Sequence, residues 1–108
     1  MNAARIRFRL DFHQDVVGTD IPEIVHRFPS GYKGFLDAIA RIKARRDEAK
    51  PKKGRLLGAF SASFKTGPKD TRCSGRVVYT IRAPYILIFA AHRDHDEAYR
   101  RAKARYPR

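Results

Sequence analysis

The residues best suited to chemistry lie in the stretch from Gly75 to Arg105. Arg93 follows His92 at the exit of Tyr85–Ala91, a run of seven uncharged residues. A rigid strand would hold such an arginine while its head group stays in water. The planar guanidinium matches phosphate and never loses its charge. His92 titrates near neutrality and could move a proton. Upstream, eight cations fall within fifteen residues: Arg41, Lys43, Arg45, Arg46, Lys50, Lys52, Lys53 and Arg55, opposed only by Asp47 and Glu48. That density suits a phosphate-contacting surface. Some of these cations could simply favour the C-terminal dipole of a helix.

Twenty-four Lys and Arg against eleven Asp and Glu leave the chain at +13. So basic a small domain usually meets a polyanion: RNA, DNA, the ribosome or an acidic protein. The 108 residues suffice for a single domain, 1–108. No apolar run is long enough to span a membrane, and the first residues lack the apolar core of a secretory signal. A cytoplasmic location and no membrane partner are expected. The single Cys73 has no partner for a disulfide, and four irregularly spaced histidines carry no metal signature. No phosphate-binding glycine loop is present. No metal and no small-molecule cofactor are expected.

The elements that must position these residues can be read from periodicity. Arg5–Phe12 alternates, with Ile6, Phe8, Leu10 and Phe12 on one face, which predicts a strand with one solvated side. His13 to Asp20 reads as a polar connection. Asp20 as N-cap, with Pro22 and Glu23 behind it, predicts a short helix to about Phe28. After Pro29-Ser30-Gly31, the spacing of Tyr32, Phe35, Leu36, Ile39 and Ile42 predicts a longer helix capped by Ser30 or Gly31. Pro51 and Gly54 would stop it. Leu56–Lys65 predicts a strand with Phe60, Ala62 and Phe64 inward and Ser61, Ser63 and Lys65 outward. A loop, Thr66–Gly75, precedes a hairpin of Arg76–Arg82 and Tyr85–Ala91. Asp94 with Glu97 resembles a capping box ahead of a last helix carrying Tyr99, Ala102 and Tyr106 on one side. The expected fold is α+β, ordered β-α-α-β-β-β-α. A helical hairpin and a C-terminal helix would lie on one face of a small, mainly antiparallel sheet.

Arg76-Val77-Val78-Tyr79, the buried run, His92-Arg93, and a helix reading Glu97-Ala98-Tyr99 and then Arg101-Ala102 together resemble the C-terminal half of the RelE/ParE toxin superfamily. Phe12–Val16 and Asp20-Ile21-Pro22 resemble, more weakly, the family's entry into its first helix. The resemblance implies a RelE-like toxin of a type II toxin–antitoxin pair. Such a toxin would be an mRNA endoribonuclease that needs no metal, acts at the ribosome and inhibits translation, with an acidic antitoxin as partner. It implies catalytic roles for Arg76 and Arg93 and a substrate-orienting role for Tyr99.

One departure matters. Ribosome-dependent RelE-type nucleases commonly carry lysines on the outward face of the second strand, where this chain has Ser61 and Ser63. A serine hydroxyl is a poor general base. His92 could replace the lysine, or Lys65, Lys69 or Arg72 could reach the site. Arg41, Arg45, Lys50, Lys52, Lys53, Arg55, Lys69 and Arg72 are the expected RNA contacts. Each role has a plain rival: Arg76 could pair with a neighbouring carboxylate, and Tyr99 could be core. Two other functions remain open, a ParE-like poison of DNA gyrase and a non-catalytic basic module that binds RNA or protein.

Overall fold

The structure is a computed structural model that describes residues 7–47 and 49–106. Five strands form one sheet: β1 (Arg9–Phe12), β2 (Lys50–Pro51), β3 (Phe60–Phe64), β4 (Gly75–Arg82) and β5 (Tyr85–His92). Three helices accompany them: α1 (Ile21–Arg27), α2 (Pro29–Lys43) and α3 (His95–Arg105). The strand order is β1-β5-β4-β3-β2, with β1 parallel to β5 and every other pair antiparallel. The fold is therefore α+β, as expected, with one short edge strand more than the sequence suggested.

The helices do not share a face. α1 and α2 cover Ala62, Phe64, Val77, Tyr79, Ile86 and Ile88, whereas Ala102 of α3 packs with Val78, Phe89 and Ala90. Because successive side chains of a strand point to opposite sides, β4 and β5 need apolar residues on both. That explains why Tyr85–Ala91 is apolar throughout. One irregularity breaks the alternation. Val78 pairs with Ala90 but Tyr79 pairs with Ile88, so Phe89 is an extra residue in a β-bulge. Phe89 and Ala90 consequently both face α3.

Several boundaries differ from the expectation for local reasons. Residues 1–6, including Arg5 and Ile6 of the expected first strand, lie outside those described. Val16–Asp20 is a π-helical turn that runs straight into α1. Asp20 makes no capping bond to α1. Its buried carboxylate instead accepts from the Ala91 amide (2.9 Å), Arg101 (2.8 Å) and Arg105 (2.7 Å). The tertiary partners outcompete the cap because they bring positive charge to a carboxylate that has left water. α2 begins at Pro29, ahead of Ser30, whose hydroxyl donates to the Thr66 carbonyl (3.1 Å). It ends at Lys43, well before Pro51, and Arg45 and Ala49 take left-handed backbone angles on the way to β2. Leu56 belongs to a 3₁₀ turn, Gly54–Leu56, and β3 starts only at Phe60.

α2 sits hard against the end of β3. A β-carbon on Gly34 would lie 2.1 Å from the Lys65 carbonyl oxygen, so only glycine permits the approach. The loop from Thr66 to Ser74 is closed by Asp70. Its carboxylate accepts from the amide and hydroxyl of both Thr66 and Ser74. The backbone amides of Ser74 and Thr66 hold that carboxyl well below the usual carboxylate range. Asp94 caps α3 by accepting from the Glu97 amide (2.9 Å). The Glu97 side chain does not complete the box; it binds Arg100 and Arg101.

Candidate functional site

Register places the candidate residues on the α3 side of the sheet. Ser63, Arg76 and His92 form one cross-strand row, and Lys50 and Ser61 pair with each other beside it. Tyr99, from the second turn of α3, reaches this surface. Its hydroxyl donates to Ser61 Oγ (3.1 Å) and accepts from Lys52 Nζ (3.1 Å). The Lys52 ammonium also lies 4.3 Å from the centre of the Tyr99 ring, a cation–π contact, and His95 packs edge-on against that ring. Lysine, tyrosine and serine thus form one hydrogen-bonded chain.

The chain has an electrostatic consequence. Burial alone would push the Tyr99 phenol up. Hydrogen bonds with Ser61 and Lys52, and the charges of Lys52 and Arg76, outweigh burial and bring its pKa below the ordinary tyrosine value. A phenol so placed exchanges its proton closer to neutrality. Arg76 is anchored as well. Its guanidinium donates to the carbonyls of Cys73 and Gly75 (2.9 Å to the latter), which holds a fixed cation beside the phenol.

Sequence reasoning placed Ser61 and Ser63 outward. Ser61 is outward only from the α1–α2 core, because α3 covers it and leaves it 3 % exposed. An amine reaches this surface from the adjoining strand end, as Lys52, which the sequence suggested only as an RNA contact. A signal existed. A residue preceding proline avoids the helical region, so Lys50-Pro51 favours an extended segment. Pairing that segment with β3 carries lysines towards Ser61.

His92 stands in the row with Arg76, but it is poorly suited to the role of base. Its Nδ1 accepts from the Asp94 amide (2.9 Å), so the neutral ring keeps its proton on Nε2 and offers a donor there. Burial, with the charge of Arg101, pushes its pKa down. Arg93 is not gathered with Tyr99 and Lys52. Its guanidinium lies over the Phe28 ring, 3.8 Å from the centre, at the junction of α1 and α2. The bulge is the reason: one extra residue turns His92 to the α3 side and Arg93 to the other.

The remaining cations divide. Arg41, Lys50 and Arg46 border a cleft of about 270 Å³ along β3 that also touches Ser61 and Ser63. Arg41 is partly committed there, donating to the Ser63 carbonyl (2.7 Å) and lying 3.8 Å from the Asp47 carboxylate. Lys53 and Arg55 are exposed around the 3₁₀ turn, and Lys65, Lys69 and Arg72 are exposed at or beyond the end of β3. Arg45 stacks on Phe8, away from Tyr99.

Among the described residues, no cluster of three or more His, Cys, Asp or Glu could hold a metal ion, and no helix is long and apolar enough to cross a membrane. Fold and site together define a small, strongly basic α+β domain with a lysine–tyrosine–serine chain beside an anchored arginine. Comparison with known proteins adds no relative: no family model matches the chain, and no match was found among curated proteins or solved structures.

Proposed function

We propose that this protein is a RelE-like toxin: an endoribonuclease that cleaves ribosome-bound mRNA without a metal and is neutralised by an acidic antitoxin in the cytoplasm. The observation that carries the reading is the hydrogen-bonded Lys52–Tyr99–Ser61 chain beside Arg76. In-line attack by a 2′-hydroxyl requires that its proton be removed and that the charge growing on phosphorus be met by a cation. Ionised Tyr99, stabilised by Lys52, takes the 2′ proton. Arg76 faces the phosphorane. The 2′-oxygen bonds to phosphorus as the bond to the 5′-oxygen breaks; the 5′-oxygen takes a proton from water, and Tyr99 returns the proton it took to solvent. The products are a 2′,3′-cyclic phosphate and a 5′-hydroxyl. Lys52 at Tyr99 supplies the amine that β3 lacks, which weighs against the ParE-like alternative.

The test offers the protein programmed ribosomes in one tube, and gyrase with supercoiled plasmid in another. Cut mRNA bearing cyclic-phosphate ends, with unaffected gyrase, is the expected result. Arg76→Ala should slow single-turnover cleavage by about two to three orders of magnitude, as when one charge-stabilising donor is removed. Intact mRNA beside inhibited gyrase would promote the ParE-like reading. Intact mRNA and working gyrase would leave only a binding module.

A further inference from the structure

A second basic feature lies away from the Tyr99 site. The free edge of β1 and the C-terminal turn of α2 enclose an open groove of about 820 Å³, with Arg7, Phe8, Arg9, Lys43 and Arg45 on its walls. Among the described residues, no acid lines it. β1 and β2 are the two outer strands of the sheet, so this groove and the Lys50–Lys52 segment lie at opposite edges. We infer that the groove is a second nucleic-acid-binding site, which holds a phosphodiester backbone independently of the Tyr99 chemistry.

Three observations carry this. Four cations converge on one concave surface, whereas a solvated face would disperse them or intersperse acids. Among the described residues, the acid on the adjoining turn, Asp47, is withdrawn: its side chain is 9 % exposed and accepts from the Tyr79 hydroxyl and the Ala49 amide. Arg45 occupies the left-handed position after α2 (φ 57°), where glycine is the usual residue, and its guanidinium lies 5.4 Å from the centre of the Phe8 ring. An arginine therefore stands at the strained position with its guanidinium over a ring on the groove wall. Among the described residues β1 has a neighbouring strand on one side alone, so its outward amides can serve as further donors to phosphate oxygens.

A backbone bound by such contacts is read with little regard to sequence and released by salt. The groove does not depend on the nuclease reading, and the experiment separates the two. Binding of a fluorescein-labelled 2′-O-methyl RNA strand, whose 2′-oxygen cannot attack, is followed by anisotropy across a salt series. The Arg9→Gln/Lys43→Gln double variant alters two exposed side chains, and its fold is checked by its melting temperature. It should bind about tenfold more weakly near physiological salt. Its log–log salt slope should be shallower by roughly 1.4, the share of two phosphate contacts on a single strand. Lys33→Gln, at an exposed lysine outside both sites, should bind this strand as wild type does, whether or not the wild-type protein cleaves RNA. Unchanged affinity and slope in the folded double variant would overturn the inference. So would polyglutamate that competes as well as RNA at equal charge, because the groove would then be one for an acidic protein.

Discussion

Tyr99 receives a hydrogen bond from an ammonium and lies within reach of the Ser61 hydroxyl, which can turn to donate once the phenol ionises, so the phenolate has two donors before any substrate arrives. Because its pKa is lowered, cleavage limited by this base should rise with pH and level off below the range of a free phenol, near 10. Lys52→Met removes the charge and should move the plateau upward, while Lys52→Arg should restore part of it. Tyr99→Phe should cost about two orders of magnitude or more. Rates of single-turnover cleavage at a series of pH values check all three. A flat profile unchanged by Lys52→Met would remove Tyr99 from proton transfer.

At the scale of elements, Asp20 joins the π-helical turn, the β5 edge and α3. Asp20→Asn would leave two largely buried arginines facing a neutral partner. A loss of about 3 kcal/mol is expected from urea unfolding, the lower end for breaking a buried pair because Arg101 keeps Glu23 and Glu97. Gly34→Ala sets two effects against each other. Helix propensity alone would add about 1 kcal/mol. The clash with the Lys65 carbonyl should cost about 1–3 kcal/mol and decide the sign. A lowered urea midpoint is the expected outcome. Much of this layer was legible in the sequence. Alternation marked β3 and β4, Asp94 marked the start of α3, and the uninterrupted apolar run marked a strand covered on both sides. Two features were not legible. Asp20 looks like a helix cap because its arginines are far away in sequence. The bulge at Phe89 carries no glycine or other local sign, and counting by twos from Ile86 and Ile88 exchanges the faces of His92 and Arg93. The catalytic roles that the resemblance implies for Arg76 and Arg93 take no account of that exchange.

For the molecule as a whole, the +13 charge is spread over both edges of the sheet instead of being gathered at one site. The sheet itself closes late. Among the described residues β1 pairs with β5 alone, and Asp20 meets Ala91, Arg101 and Arg105 across 71, 81 and 85 residues. Contacts this distant require closing most of the chain into a loop before any of them is rewarded. Synthesis proceeds from the other direction. While the chain emerges, α1 and α2 are available but β1 has no strand to join, and Lys52 waits for Tyr99. A nascent chain therefore carries its cations without an assembled Lys52–Tyr99–Ser61 chain until α3 has emerged. A stalled chain ending at His92 should accordingly be sensitive to brief proteolysis. One extended past Arg105 and clear of the exit tunnel should resist it.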